Sequence, residues 1–304
     1  MAAVPADIER LNAGHGRPGA VSFAAHPLGG VAAHLVTPEA SAIVALHGAH
    51  VLSFKPKQGA EVLWMSPEAR IAEGHGIRGG VPVCWPWFAT HATDPEKPDH
   101  GFVRKVPWRV VRTIDDSGAA GIELAFATGA QHRSLWPGEA DLRVVVTLRD
   151  RLRVDVITRN TGADAFELTQ ALHTYFAVGN IADIEVTGLH GATYQDKLRN
   201  YDRLQQDGAI TFAGEVDRIY ENTTADVMIV DPDNARRIRI AKEGSASTVV
   251  WNPWVEKSKT VSDMPPEAFR TMVCVETTNA GGDVVRLEPS QQHRLSAILS
   301  VEPI

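Results

Sequence analysis

The chain has 304 residues, of which 44% are hydrophobic and 22% are charged, and its formal net charge is −7. These values are typical of a globular protein with a sizeable core, and they exclude a disordered or collagen-like chain. An acidic chain also lacks the basic face that nucleic-acid binders usually carry. We therefore expect a small-molecule partner and no nucleic acid.

The sequence contains no segment that approaches the roughly 18 apolar residues of a membrane-spanning helix, so no membrane partner is expected. The first 16 residues carry charged side chains where a secretory signal would have its apolar segment. The two cysteines, Cys84 and Cys274, are too few for a disulfide-dense scaffold or a four-cysteine zinc site. A cytoplasmic protein with two reduced thiols is predicted.

The predicted elements begin with a short helix over Pro5–Leu11, because proline suits an early helical position. Short strands follow. Apolar residues alternate over 142–146 and again over 152–156, with Asp150-Arg151 as a tight connection, which predicts an antiparallel hairpin. One further helical turn is predicted at Pro265–Phe269.

Similar short apolar runs predict the remaining strands, at 30–37, 41–46, 50–54, 108–114, 121–127, 166–172, 184–188, 226–230, 237–241, 248–251, 271–276, 283–287 and 295–301. Turn residues separate these runs, and helical patterning is scarce. An antiparallel all-β sandwich or barrel is therefore predicted rather than alternating βαβ units. Because the composition does not break along the chain, one domain over residues 1–304 is expected.

The longest stretch without regular patterning is 74–108, and irregular segments of that length are usually functional. Arg78 precedes Gly79-Gly80, which lets the backbone approach a ligand, and its guanidinium group suits phosphate or carboxylate. Alone, Arg78 also fits an ion pair beside a tight turn. Arg104, which follows His100-Gly101, supplies a second cation, and two converging arginines would form an anion pocket.

Two further segments contain candidate acid–base groups. His173 is flanked by apolar and aromatic residues, so it is either a partly buried acid–base group or a core histidine with its hydrogen bonds satisfied. Glu276 follows the apolar run 272–275, as either a carboxylate of raised basicity or a solvated residue at a strand end. Only the fold could bring the two together.

The usual metal-binding and cofactor-binding motifs are either absent from the sequence or lack their structural context. The sequence contains no His-x-His or His-Glu-x-x-His cluster, and no phosphate-binding Walker loop or nucleophile elbow. The pattern Gly-x-Gly-x-x-Gly occurs at 14–19 and 74–79, but neither copy lies between a strand and a helix, as a dinucleotide site requires. A cofactor-free, metal-free acid–base enzyme remains.

Seven motifs, in this order, resemble the aldose 1-epimerase superfamily, in its D-hexose-6-phosphate mutarotase branch. They are IRGGVPVCWPWF at 77–88, HGFVR at 100–104 with Trp108, WP at 136–137, HTYF at 173–176, VDRIY at 216–220, WNPW at 251–254 and VCVE at 273–276. Ala89 departs from the glycine that this family usually has there, and Thr277-Thr278 replaces a smaller pair. These departures leave the reacting groups intact.

The resemblance implies a galactose-mutarotase-like β-supersandwich and an isomerase that interconverts the α and β anomers of a hexose 6-phosphate, glucose 6-phosphate foremost, without cofactor or metal. By motif position, His173 matches the family's acid and Glu276 its base. Arg78 and Arg104 match the arginines that bind phosphate, and His100 and Asp217 match positions that contact substrate.

Two alternatives stay open. One is a catalytically silent module that binds sugar phosphates, and the other is a glycoside-processing enzyme that uses Glu276 and Asp217 as paired carboxylates. A monomer is expected, because nothing in the sequence indicates a large exposed apolar face.

Overall fold

The computed structural model describes residues 5–304, which form antiparallel sheets with two helices, α1 (Pro5–His15) and α2 (Trp254–Ser258). The prediction of α1 is confirmed, although the helix continues to His15. The sequence did not predict α2, and the turn expected at 265–269 is a 3-10 turn at Ala268–Thr271. Neither helix has the length and hydrophobicity needed to cross a bilayer.

The strands in chain order are β1 (Val21–Ala25), β2 (Val31–Val36), β3 (Ala40–Ala45), β4 (His50–Pro56), β5 (Val83–Cys84), β6 (Arg109–Asp116), β7 (Ala119–Ala127), β8 (Ala140–Leu148), β9 (Leu152–Asn160), β10 (Phe166–Leu168), β11 (Gln170–Leu172), β12 (Tyr175–Ala177), β13 (Glu185–Thr187), β14 (Thr193–Asp196), β15 (Asp202–Gln205), β16 (Val216–Tyr220), β17 (Val227–Asp231), β18 (Arg236–Glu243), β19 (Ser247–Asn252), β20 (Met272–Asn279), β21 (Val285–Leu287) and β22 (Gln292–Pro303).

These strands form three large sheets and the small pair β10-β21. Sheet I has the order β1-β2-β3-β4. Sheet II has the order β15-β14-β16-β19-β20-β11-β5, with β12 also paired to β20, and sheet III has the order β13-β17-β18-β22-β9-β8-β7-β6. The antiparallel all-β prediction is confirmed.

The predicted hairpin is β8-β9, in which Leu148 pairs with Leu152 across the turn. Leu142, Val144 and Val146 are fully buried on one face of β8, as the alternation predicts. Each such side chain contributes about 1.5–3 kcal/mol by leaving water. One hydrophobic core joins residues from Val21 in sheet I to Leu299 in sheet III. The single domain over residues 1–304 stays a prediction.

Strand β20 differs from the prediction that Glu276 ends a strand. The strand continues to Asn279, and every residue in it is buried. Polar side chains extend the strand because they find partners inside the protein: the hydroxyl groups of Thr278 and Ser247 lie 2.7 Å apart, and Gln170 donates to Asn279 at 2.9 Å. The solvated reading of Glu276 is therefore wrong.

The single strand predicted over 166–172 is two strands that belong to different sheets. β10 pairs with β21, whereas β11 pairs with β20 and β5. Thr169 separates them: its backbone N–H donates to the carbonyl of Pro86, and its hydroxyl group accepts from the backbone of Phe88. These bonds fasten the irregular stretch 74–108 to the edge of sheet II.

Candidate active site

A cavity of about 340 Å³ opens on one face of sheet II. All six candidate residues predicted from the sequence line it, namely Arg78, His100, Arg104, His173, Asp217 and Glu276. The structure thus brings together side chains from loops and strands that are far apart in the chain.

Strand register explains this convergence. Across sheet II, Asp217 pairs with Trp251, Trp251 with Cys274, and Cys274 with Tyr175. In the next row, Glu276 pairs with Val249. Because alternate residues of a strand share a face, the side chains of both rows point to the same side of the sheet, which forms the cavity floor.

His173 lies between β11 and β12, and its backbone N–H donates to the carbonyl of Pro82 at 3.0 Å. Its Nε2 atom lies 3.4 Å from Oε1 of Glu276. His173 is 8% exposed and Glu276 only 1%, so the pair is withdrawn from bulk water but open to the cavity. The phenol ring of Tyr175 stacks on the imidazole ring, with the two centroids 4.9 Å apart.

Burial dominates the ionisation of this pair. It lowers the pKa of His173 to about 3, and the positive charges of Arg104 and Arg78 act in the same direction. Burial also raises the pKa of Glu276 well above its usual value, and the negative charge of Asp217 adds to this effect. Both shifts favour the neutral imidazole beside the protonated carboxyl, whereas an acid at His173 and a base at Glu276 would start as imidazolium and carboxylate.

His100 adjoins the pair at the cavity wall. Its ring centroid lies 5.2 Å from that of His173, and its Nδ1 accepts a hydrogen bond from the backbone N–H of Ala89 at 3.2 Å. The neutral ring therefore carries its proton on Nε2. Ala89 has a φ of 60°, in the left-handed region that favours the glycine found there in the family.

Arg78 is held by two partners. Its Nε donates to Asp263 at 3.0 Å and one terminal nitrogen donates to the hydroxyl oxygen of Tyr175 at 3.0 Å. The ion-pair interpretation of Arg78 is therefore confirmed, and the same side chain also lines the cavity. Gly79 and Gly80 allow this loop to pack closely, because a Cβ atom at Gly80 would lie 2.2 Å from the carbonyl oxygen of Val51.

Beneath that loop lies His50, which is fully buried. Its Nε2 donates to the carbonyl of Gly79 at 2.7 Å, next to Arg78. Burial lowers the pKa of His50 to about 3, so the ring is neutral. This support could not be predicted from the sequence, because His50 begins an ordinary predicted strand.

Arg104 belongs to a 3-10 turn over Val103–Lys105, and it donates from its guanidinium group to the carbonyl of Asp99 at 2.9 Å. Its Nε atom is buried and has no hydrogen-bond partner among the described residues. Arg104 therefore has a buried donor that no described residue satisfies.

Lys197 also lines the cavity, although no motif in the sequence indicated it. Its ammonium group lies 2.6 Å from Oδ2 of Asp217. Lys197 follows β14, which was not predicted, so its position relative to β16 and Asp217 could not be anticipated. A prediction that 193–196 forms a strand paired with the motif at 216–220 would have placed Lys197 beside Asp217.

One group of potential metal ligands occurs in residues 5–304. His173, Cys274 and Glu276 each offer one ligand atom, and these atoms lie within 4.8 Å of one another. Burial raises the pKa of the Cys274 thiol well above its usual value, which disfavours the thiolate that binds metals. Linear spacing could not detect this group, because β20 supplies two of its members and the segment between β11 and β12 supplies the third. Both cysteines are buried and free, as predicted.

Comparison with known proteins agrees with this geometry. The family model described as aldose 1-epimerase matches residues 33–300. The chain belongs to the aldose 1-epimerase family. It is therefore an isomerase of the mutarotase type, as predicted.

Relatives cover most of the chain. The "Putative glucose-6-phosphate 1-epimerase" of Escherichia coli K12 is 36% identical over 244 residues, which are 80% of this chain and 81% of the relative. A protein of the same name from Cenchrus ciliaris is 32% identical, over 85% of this chain and 80% of the relative.

Solved structures share the fold. The crystal structure of "a putative mutarotase (YeaD) from Salmonella typhimurium" superimposes with a TM-score of 0.86 and 31% identity, over 94% of each chain. A galactose mutarotase-like protein from Clostridium acetobutylicum has a TM-score of 0.70 at 14% identity, over 93% of this chain and 98% of that one. The predicted galactose-mutarotase-like fold is confirmed.

Proposed function

We propose that this protein interconverts the α and β anomers of hexose 6-phosphates, with glucose 6-phosphate as the main substrate. One observation carries the proposal: the facing pair His173 and Glu276 shares its cavity with the two arginines Arg78 and Arg104. The names of the relatives from Escherichia coli and Cenchrus ciliaris support the same substrate.

Mutarotation requires one acid and one base at the anomeric carbon. The hydroxyl group on C1 loses a proton while the ring oxygen gains one, so the ring opens to the aldehyde. Rotation about the C1–C2 bond and reclosure then give the other anomer. Glu276 as the base and His173 as the acid fit these roles, and each positioned proton transfer contributes typically about 10²–10⁴-fold.

The proton of the pair has to change position before this step. In the empty cavity it is favoured on Glu276, whereas the reaction as assigned starts with the carboxylate and the imidazolium. The two forms hold the same number of protons, so a single transfer over the 3.4 Å between them converts one into the other. A bound phosphate dianion favours this transfer, since it offsets the arginine charges that oppose protonation of His173.

The arginines bind the part of the substrate that does not react. Phosphate accepts charge-assisted hydrogen bonds from guanidinium groups, and a 6-phosphate lies far from C1. Its binding energy therefore positions C1 between the acid and the base without touching the bonds that change. His100 and Asp217 line the same cavity and are proposed to contact the sugar hydroxyl groups.

Arginine variants test the substrate. We expect Arg78→Ala and Arg104→Ala each to raise KM for glucose 6-phosphate about 10- to 100-fold, the effect of losing a charged hydrogen bond. The KM for free glucose should change much less. The matched control is Arg286→Ala, which removes an exposed arginine that pairs with Glu288. Equal effects on both sugars would refute the phosphate assignment.

The two alternatives make different predictions. A silent binding module would bind hexose phosphates without anomerising them, so polarimetry on the purified protein separates it from the enzyme. A glycoside-processing enzyme would release reducing sugar from a glycoside. It would need Asp217 as a free carboxyl group, but that group already pairs with Lys197 at 2.6 Å.

A further inference from the structure

Lys197 has a fixed position at the cavity edge. Strand β14 ends at Asp196, which pairs with Arg218 of β16, so the next residue of the chain lies beside Asp217. The buried carboxylate of Asp196 accepts a hydrogen bond from the backbone N–H of Leu198 at 3.0 Å and thereby caps the turn that begins at Lys197. The strand pairing and the capping hydrogen bond thus fix the backbone position of Lys197.

The ammonium group is partly withdrawn from water. The side chain of Lys197 is 24% exposed and that of Asp217 is 16% exposed, and both line the cavity together with Glu276. Burial alone would lower the pKa of Lys197, but the Asp217 carboxylate outweighs this effect and raises it. Lys197 is therefore a cation at neutral pH.

Cations of the cavity act on both members of the acid–base pair. Arg104, Arg78 and Lys197 all oppose a positive charge on His173. At Glu276 the opposing charges are those of Asp217, which raises the pKa of the carboxyl group, and Lys197, which lowers it. Lys197 therefore favours the ionised form of Glu276, which the buried site otherwise disfavours.

We propose that Lys197 is a positioning residue of the reaction: its ammonium group fixes the Asp217 carboxylate and stabilises the negative charge that Glu276 must carry to act as a base. This role rests on the proposed assignment of Glu276 as the base. It does not depend on whether the sugar is phosphorylated. Nothing in the motif resemblance includes Lys197.

The surroundings of Glu276 leave this role to Lys197. The titratable or charged groups that face it are His173 and Tyr175 from the segment 173–177, Cys84 from β5, Cys274 from its own strand, Asp217 from β16, and Lys197. Its paired strand β19 contributes Val249 and Trp251 to the cavity, which carry no charge. Among these groups Lys197 is the permanent cation.

The test compares Lys197→Met, Lys197→Gln and Lys197→Arg over a range of pH, with kcat/KM as the readout. Without the ammonium group the pKa values of Glu276 and His173 both rise, so we expect the acidic limb of the profile to move to higher pH. At neutral pH the Met and Gln variants should lose about 10-fold or more. The loss should shrink as the pH rises, and the Arg variant should restore the wild-type limb.

Lys257→Met provides a matched control, because this second lysine also lines the cavity but does not set the ionisation of Glu276. It should leave the limb in place. A loss that is equal at every pH, an unshifted limb in both neutral variants, or failure of Lys197→Arg to restore the limb would each overturn the role of Lys197. Thermal melting identifies a variant that fails to fold. If Lys197→Met or Lys197→Gln does not fold, the pH profile of the other one provides the test.

Failure of this inference can be told apart from failure of the proposed function. If the wild-type protein anomerises free glucose but no hexose 6-phosphate, the substrate proposal fails and the Lys197 comparison is made with glucose. If the wild type acts on glucose 6-phosphate and the Lys197 variants keep its pH profile, only the inference about Lys197 fails.

Discussion

Nε2 of His173 lies 3.4 Å from Oε1 of Glu276, in a site where both side chains are almost completely buried. At this distance and in this environment, the pair is stable with one proton between its two members, because a bare carboxylate or a lone imidazolium would be poorly solvated. A pair that holds a single mobile proton is suited to a reaction in which one proton leaves and another is supplied.

Replacing Glu276 by glutamine separates activity from stability. We expect the Gln variant to lose about 10²–10⁴-fold in the anomerisation rate followed by polarimetry, since it removes one proton transfer. We also expect it to be more stable at pH 8, by about 0.5–2 kcal/mol, because a neutral amide replaces a buried ionisable group.

The sign of this stability effect follows from the raised pKa of Glu276. A group whose pKa is higher in the folded state contributes stability at low pH, and this contribution is lost as the pH rises through the folded pKa. The advantage of Glu276→Gln in urea denaturation should therefore be larger at pH 8 than at pH 5. A variant that is less stable than the wild type at pH 8 contradicts the prediction.

Replacement of His173 by asparagine should abolish most of the activity while the circular dichroism spectrum is retained. The lowered pKa of His173 also makes the wild type sensitive to acid. The unfolded state binds a proton near pH 6.5 and the folded state only near pH 3, so stability falls as the pH decreases between these values. The free energy of unfolding of the Asn variant should fall less between pH 7 and pH 5 than that of the wild type. An equal fall in both proteins would contradict the lowered pKa of His173.

Phosphate itself should activate the enzyme toward an unphosphorylated sugar. Because Arg104 and Arg78 lower the pKa of His173, an inorganic phosphate bound between them favours the imidazolium acid. We expect phosphate to raise the enzyme-dependent anomerisation of free glucose, after subtraction of the rate without enzyme. Chloride at equal ionic strength is the control, and Arg78→Ala should remove the effect. Simple inhibition by phosphate would contradict this prediction.

We expect His50 to stabilise the folded protein through its hydrogen bond to the backbone of Gly79. His50→Leu leaves the buried carbonyl of Gly79 without its donor, which costs about 1–3 kcal/mol in the free energy of unfolding. His50→Gln keeps a side-chain N–H and should recover part of this loss. Urea denaturation measures both variants, and equal stability of the two would show that the hydrogen bond to Gly79 contributes little.

Several features could be predicted from the sequence because their signals are local. The alternation over 142–156 predicted the hairpin β8-β9. The order of the seven motifs identified six candidate residues, and all six line one cavity. The burial of Glu276 could not be predicted from the sequence, because the pattern at 276–279 is polar. The strand continues to Asn279 only because it pairs with β11 and β19 in sheet II. Lys197 was missed for a related reason, since its contact with Asp217 depends on the register between two strands that are 20 residues apart.

The predicted base lies within β20 and the predicted acid lies between β11 and β12, which both pair with β20, whereas both arginines lie on segments outside the strands. We expect a change in β20 to disturb the core as well as the proposed chemistry, and a change in the loops around 78 and 104 to alter mainly the proposed phosphate contacts. Under the proposed roles, replacing these two loops would change the sugar that is bound while the reacting groups stay in place. Swapping those two loops with a relative's is accordingly the first step toward redirecting this scaffold to a different aldose.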